Sequence, residues 1–306
     1  MSRLDSPVLW WLSGGKSANS LRVPELPEVE VLVRHLNPLL QNKTIRQVTV
    51  NRERVIRPTS PRTLKKRLIG AKFLGLSRRG KYLLFNIHCK DDTAPRLLVG
   101  HLGMTGRMYL APAKQSLPKH AAVILTLGKE NFVFEDTRYF GRLTFETRAL
   151  RKLGPEPLGE QFSPEVFVQG LKRSGQSIKV KLLDQSLVAG VGNIYASEAL
   201  FRAKISPKTP ARKLTSSHVA RLWTSLREVL TEAIELGSTV PLNYSGIGER
   251  DGLFYFGRNP NSPDHYEERL QVYDRAGLPC LNCRSPIKRI VQAARSTFFC
   301  PSCQRG

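Results

Sequence analysis

Cys280-Leu281-Asn282-Cys283 and Cys300-Pro301-Ser302-Cys303 stand at the carboxyl end of the chain with sixteen residues between them. Two thiolates separated by two residues on a tight turn can hold one metal together, and a second such pair completes a tetrahedral set. The C-x2-C-x16-C-x2-C spacing therefore predicts a zinc ribbon. Four protein ligands leave no position open for water, so one structural Zn2+ is expected on Cys280, Cys283, Cys300 and Cys303. The same pattern in a secreted chain would read as two disulfides. Between the pairs, Ser285-Pro-Ile-Lys-Arg-Ile-Val-Gln-Ala-Ala-Arg-Ser-Thr-Phe-Phe299 mixes cations with β-branched and aromatic residues. It reads as a two-stranded ribbon presenting Lys288, Arg289 and Arg295 to phosphate, of a size that fits a DNA groove. The fifth cysteine, Cys89, lies in a strand-like run and reads as a buried bystander.

Outward from the ribbon, the whole chain is basic: 48 Lys and Arg against 25 Asp and Glu give a formal charge of +23 over 306 residues. Such an excess concentrates polyanions and releases counterions where phosphates are neutralised, so nucleic acid is the leading partner. A solvated basic face or an acidic membrane surface would satisfy the count alone. With 41% hydrophobic residues, 13 of them Phe, the chain can build cores and is no disordered polycation. No run approaches the roughly 18 apolar residues of a membrane helix, and Val8-Leu9-Trp10-Trp11-Leu12 is too short for a signal-peptide core. A cytoplasmic location without disulfides is expected. The first 23 residues hold three cations and one anion, so the charge belongs to the remainder.

Residues 44–147 are dominated by short β-type runs at 45–50, 71–77, 82–88, 97–101, 123–127, 132–135 and 143–145. Gly80, Gly100, Gly103, Gly106 and Gly128 punctuate them, and Gly128-Lys-Glu-Asn131 reads as a hairpin turn, which predicts an antiparallel sandwich or barrel. Leu153-Gly-Pro-Glu-Pro-Leu158 reads as an interdomain connector, beyond which helical patterns dominate. Ser163-Pro164-Glu165 is an N-cap with Pro at the first helical position. Val219, Leu222, Leu226, Val229, Leu230 and Ile234 recur at helical spacing towards Gly237, a candidate C-cap. Near the start, Gly14-Gly15-Lys16-Ser17 lacks the glycine that a phosphate-binding loop needs five residues before Gly15, where Trp10 stands. The chain before Pro24 reads as a disordered extension.

From Pro24, Pro-Glu-Leu-Pro-Glu-Val-Glu30 opens a helix whose Val29, Leu32, Val33, Leu36 and Leu39 follow a 3.6 period. This string resembles the amino terminus of the bacterial formamidopyrimidine-DNA glycosylases, which excise oxidised purines. Arg79-Gly80-Lys81-Tyr82-Leu83-Leu84, His101-Leu-Gly-Met104-Thr-Gly106, Asp136-Thr-Arg138-Tyr-Phe140-Gly141, Leu153-Gly-Pro-Glu-Pro, Gly190-Val-Gly-Asn193-Ile-Tyr-Ala-Ser-Glu and the ribbon's Ala294-Arg295-Ser-Thr-Phe-Phe-Cys300 are similar to that family's motifs, in its order. The resemblance covers nearly all of residues 24–306. It implies an α+β multidomain fold, with an antiparallel β-sandwich and flanking helices over 24–152 and a helical helix-two-turn-helix domain with a lesion loop over 153–270. The zinc ribbon occupies 271–306, and DNA lies in the cleft between the domains. The implied activity is that of a bifunctional DNA glycosylase/AP lyase of base excision repair. Its implied partner is double-stranded DNA carrying oxidised bases or abasic sites, bound by a monomer associated with the bacterial nucleoid.

The resemblance also implies roles. Pro24 would be the nucleophile, because a free secondary amine can attack C1′, expel the base and leave an iminium that drives β,δ-elimination. An α-amine has a reference pKa near 8, so a useful fraction is unprotonated at neutral pH. Glu25 would be the adjacent acid and base, and Glu28 would support proton traffic or the amine, although a first-turn carboxylate favoured by the helix dipole reads equally well there. Lys81 would contact the phosphate near the lesion. Met104, Arg138 and Phe140 would fill the void left by the extruded base, where taken singly they would read as a core Met, a surface Arg and a core Phe. Asn193, at a helix start after glycines, would bind phosphate, with His120, Lys179 and Arg295 as further DNA contacts.

Two departures from the family pattern matter. As written, Pro24 follows Val23, so its nitrogen is an imide without a usable lone pair. A GTG start codon at Val23 followed by removal of methionine would expose Pro24, and residues 1–23 are on that reading not native; proteolytic maturation is the alternative. Second, residues 238–268, where the family's lesion loop would lie, are longer than usual. Oxidised guanine and formamidopyrimidines are the expected lesions. An endonuclease VIII-like preference for oxidised pyrimidines, or damaged-DNA binding without chemistry if Pro24 is blocked, are the alternatives.

Overall fold

The computed structural model describes residues 23–90, 92–236 and 270–305, together with the backbone of 242–243 and 253–254. The expected extension over 1–23 (but for Val23), the lesion loop over 238–268 (but for those four backbone positions) and the C-cap at Gly237 lie outside the described residues.

Helix α1 (Leu26–Leu40) begins where Pro27 can be tolerated, in a first turn whose N–H groups have no intrahelical partner, and it buries Val29, Leu32, Val33 and Leu36 as the 3.6 period requires. Leu39 is exposed and Leu40 takes its place in the core, a rotation of the apolar stripe as the helix ends. Two four-stranded antiparallel sheets follow. One is ordered β1 (Gln47–Val50), β6 (Ala121–Thr126), β7 (Glu130–Asp136), β5 (Gly106–Pro112); the other β2 (Lys72–Arg79), β3 (Tyr82–His88), β4 (Arg96–His101), β8 (Arg142–Thr144). Their inner faces share one core with α1, in which the rings of Phe73, Phe85 and Phe132 pack at centroid distances of 5.5 to 6.5 Å. Cys89 is buried in this core, as expected.

One α-helix and one strand of this half escape the sequence reading. Strand β5 is obscured because Gly106 and Arg107 break its apolar run. Helix α2 (Pro61–Leu68) has four cations and buries only Leu64 and Leu68; its signal is Ser60, whose hydroxyl accepts the Thr63 N–H at 3.1 Å, followed by Pro61.

The second half is helical: α3 (Pro164–Lys172), α4 (Ile178–Leu182), α5 (Asn193–Arg202) and α6 (Ser216–Glu235). The Ser163 hydroxyl caps α3 by accepting the Val166 N–H. The core of this half takes in Leu26, so α1 opens in the second core and continues in the first. The 153–158 connector is pinned on both sides. Glu156 accepts from Arg78, Arg79 and the Gly80 N–H, and Arg227 of α6 donates to the Pro157 carbonyl at 2.7 Å. A short antiparallel pair, β9 (Leu242–Asn243) with β10 (Leu253–Phe254), precedes the ribbon strands β11 (Lys288–Gln292) and β12 (Arg295–Phe299). The ribbon turns through Ala293 and Ala294, both left-handed (φ 46° and 58°) as a two-residue hairpin demands. Among the described residues no helix is long and apolar enough to cross a membrane.

Candidate active site

Glu25 precedes α1, yet its side chain reaches across the molecule to the start of α5. The carboxylate is 2% exposed and accepts the backbone N–H groups of Gly192 (2.7 Å), Ile194 (2.8 Å) and Tyr195 (3.4 Å). A helix amino terminus is a ready anion site, and here a protein carboxylate fills it. The approach is close enough that a Cβ at Gly192 would lie 2.3 Å from Glu25 Cδ, so any side chain at 192 would push the Glu25 carboxylate out of this position. Burial raises the Glu25 pKa, against the opposing charge of Lys81 and the N–H donors of Ile194 and Tyr195, with Glu28 adding to the rise. A carboxyl whose neutral form is favoured in this way is suited to acid and base work. Pro24, directly before it, is buried. Glu28 accepts the Glu25 N–H at 2.8 Å and the Tyr195 hydroxyl at 2.6 Å, which fixes the backbone beneath the Pro24-Glu25 turn.

Lys81 sits at the tip of the β2–β3 hairpin, half-buried. Burial lowers its pKa, while Glu25 and Glu28 raise it and Arg295 lowers it further. The hairpin is held rigidly, since Arg78 joins Glu30 of α1 (2.8 Å) to Glu156 of the connector (2.7 Å) and Arg79 adds a second bond to Glu156 (2.8 Å). Sequence reading assigns no role to Glu156 or Arg79; paired opposite charges flanking Gly80 and Pro157 are the available signal.

The three candidate void-filling residues lie on two adjoining turns. Met104 is half-buried in the turn after β4, and Arg138 and Phe140 project from the loop after β7. Phe140 is 42% exposed, which rules out a core role. Two guanidinium groups approach its ring, Arg138 at 5.0 Å and Arg54 at 5.5 Å from the centroid. His120 sits beside this loop with Nδ1 3.2 Å from the Tyr139 hydroxyl.

Lys179 is placed in the interior, 1% exposed, rather than on an open surface. Its ammonium donates to Asn193 Oδ1 (2.5 Å), and Asn193 Nδ2 donates to the Ser296 carbonyl of the ribbon (2.8 Å), so α4, α5 and ribbon meet at one asparagine. Arg295 is exposed at the ribbon tip. Burial pulls the Lys179 pKa down to about 8, opposed by Glu25 and assisted by Arg295. Between about pH 8 and the unfolded value of 10.5 the folded chain holds fewer protons on this amine than the unfolded chain, so stability rises with pH across that window. The full shift corresponds to about 3 kcal/mol. Urea unfolding of the native protein should show this gain relative to Lys179→Met, which has no proton to lose; parallel pH profiles would refute it.

The four ribbon cysteines converge, with all four sulfurs within 4.8 Å of one another. Cys280 and Cys303 sulfurs are 3.9 Å apart and those of Cys283 and Cys300 3.4 Å apart. A disulfide needs about 2.05 Å. Tetrahedral Zn–S bonds of about 2.3 Å place sulfurs roughly 3.8 Å apart, so the donor set fits one zinc ion and the disulfide alternative fails. Bound there, the metal supplies structure rather than chemistry.

Comparison with known proteins identifies the family. Residues 23–143 match the family model described as the formamidopyrimidine-DNA glycosylase N-terminal domain, 153–243 its H2TH domain, and 277–306 the zinc finger found in FPG and IleRS. Formamidopyrimidine-DNA glycosylase of Thermus thermophilus is 43% identical over 289 residues, covering 92% of this chain and 98% of that one. The chain belongs to the formamidopyrimidine-DNA glycosylase family. The Listeria monocytogenes member is 35% identical over 291 residues, covering 92% of this chain and all of its own. Among solved structures, a Lactococcus lactis FPG mutant bound to Fapy-dG-containing DNA superposes with a TM-score of 0.80 at 35% identity, over 92% of this chain and 100% of that one. The Lactococcus lactis Fpg complex with abasic-site DNA gives 0.79, with the same identity and coverage.

Proposed function

We propose that Pro24, with its nitrogen free, attacks C1′ of the damaged nucleoside while Glu25 assists departure of the base and carries protons as the sugar ring opens. The chain is a base excision repair glycosylase and abasic-site lyase for oxidised purines, with double-stranded DNA as its partner. The observation that carries the residue assignment is the Glu25 cradle. It ties the acid beside Pro24 to the start of α5, 167 residues away, so the nucleophile, the acid and the Asn193 phosphate site form one rigid unit. Lys81, whose charge acts on Glu25, faces the phosphate of the lesion nucleotide, and Asn193, His120 and Arg295 grip the flanking backbone. Lys179 acts through Asn193. Met104, Arg138 and Phe140 occupy the gap left by the extruded base. The iminium then acidifies C2′, and loss of the 3′ and 5′ phosphates cuts the strand on both sides. A chromosome-bound enzyme of this kind works in the bacterial cytoplasm, at the nucleoid.

A panel of duplexes tests this with protein beginning at Pro24. Expected are products with phosphate at both ends of the gap, and a kcat/KM for 8-oxoguanine and formamidopyrimidine about tenfold or more above that for oxidised pyrimidines, since a pocket built to hydrogen-bond its base rejects those lacking the partner groups. The reverse preference would assign the endonuclease VIII-like specificity, and tight binding without cleavage the non-catalytic reading.

A further inference from the structure

Asp136 ends β7 with its side chain fully buried. Its Oδ1 accepts the Thr105 hydroxyl at 2.5 Å and the Arg138 N–H at 3.1 Å, and its Oδ2 accepts the Gly141 N–H at 2.7 Å. The Arg138 N–H is shared with the Thr105 oxygen at 3.2 Å. Each donor belongs to or adjoins a void-filling residue: Thr105 follows Met104, Arg138 is itself one, and Gly141 follows Phe140. One carboxylate thus fastens two turns that are far apart in sequence. The turns also touch, for Gly103 has φ +65° and a Cβ there would lie 2.7 Å from the Gly141 nitrogen. Ladder pairs His101↔Arg142 and Gly106↔Asp136 bring the ends of the two turns together, and the Asp136 bonds set the shape of the segments between those ends.

We propose that Asp136 is a positioning residue for base extrusion, locking the Met104 turn and the Arg138–Phe140 loop into the one arrangement that enters the duplex. This rests on the reading of Met104, Arg138 and Phe140 as void-fillers. A carboxylate suits the place because all three groups facing it are donors. In Asp136→Asn the amide NH2 can still donate to the Thr105 hydroxyl, which turns to accept it, but either the Arg138 N–H or the Gly141 N–H loses its acceptor on this side chain whichever way the amide lies, and the Arg138–Phe140 loop is loosened.

The test uses protein beginning at Pro24 and reads three quantities: single-turnover excision of 8-oxoguanine from a duplex, strand cleavage at a preformed abasic site, and fluorescence of 2-aminopurine placed opposite the lesion. Asp136→Asn should slow excision on the order of 10²-fold, as misplacing a positioning group by about an ångström does, while abasic-site cleavage, which has no base to extrude, falls by less than about threefold. The fluorescence change on binding should be lost. Thr105→Ser should behave as wild type and Thr105→Val should fall between, which keeps the test open should Asp136→Asn fail to fold. Equal loss of both reactions, or loss of neither, overturns the proposal. Arg138→Ala with Phe140→Ala, run in parallel, separates the two readings. If that pair leaves excision and fluorescence intact, the void-filling assignment fails; if it abolishes them while Asp136→Asn retains both, the role of Asp136 fails.

Discussion

Protein beginning at Pro24 becomes covalently joined to lesion-containing or abasic DNA when borohydride is present, and the 306-residue chain does not. In the full chain the Pro24 nitrogen carries the Val23 carbonyl, and amide resonance removes the lone pair that nucleophilic attack requires. Proline also lacks an amide hydrogen, so no proton shift can restore it. Once freed, the nitrogen is a secondary amine beside a buried carboxyl of raised pKa and near a lysine of lowered pKa, which together move protons to and from the sugar. Strand cleavage by the full chain should be lower on the order of 10⁴-fold or more, the scale on which loss of a nucleophile acts. The readout is a protein–DNA adduct on a denaturing gel, with amino-terminal sequencing of the protein isolated from its own cells. Full activity and trapping by a chain shown to retain residues 1–23 would overturn the proline mechanism.

What can be read from residues alone follows a physical division. Metal ligation is local in sequence, so the cysteine pairs and the ribbon between them are legible to the residue. Strand alternation and helix caps are local as well, which is why β3 and α3 agree with expectation, while α2, with two buried leucines among cations, and β5, begun by Gly106 and Arg107, are not visible there. The proposed catalytic residues are named by family motifs, but the contacts that support them are not. That Glu25 lies in the α5 amino terminus, that Glu156 holds the Lys81 hairpin, and that Asp136 joins two turns are contacts between segments far apart in sequence. No periodicity records them. The interior position of Lys179 is likewise hidden, because a lysine's type argues for exposure and only the fold supplies the Asn193 oxygen that receives it.

Removing zinc, by chelation or by Cys300→Ser, should abolish productive DNA binding while leaving the β-sandwich folded. The ribbon's own core consists of Phe201, Val272, Cys280, Ile287, Phe298 and Cys300, of which two are metal ligands and one belongs to α5. So small a core cannot hold its backbone, whereas structural zinc contributes roughly 10–16 kcal/mol of apparent binding free energy to folding. The anchoring is concentrated on α5. Glu198 accepts the N–H groups of Gln271 (2.8 Å), Val272 (3.1 Å) and Tyr273 (2.8 Å), and Gln304 bridges the Cys300 N–H and the Ile205 carbonyl. Without the metal the knuckle carrying Gln304 opens, Ser296 leaves Asn193, and Lys288, Arg289 and Arg295 lose the fixed places that the two-stranded ribbon gives them. Removing two charge-assisted hydrogen bonds to phosphate weakens binding about 100-fold or more. Every phosphate that is no longer neutralised also flattens the dependence of log K on log salt by about 0.9, so three cations should reduce the slope by nearly 3. Anisotropy titrations on an abasic-site duplex across a salt series measure both quantities, and native mass spectrometry should count one zinc per chain. The Glu25 cradle lies in the second core, not in the ribbon, so the thermal transition of the two larger cores should persist. A chelated protein with unchanged affinity and salt slope would show that the ribbon does not bind the duplex.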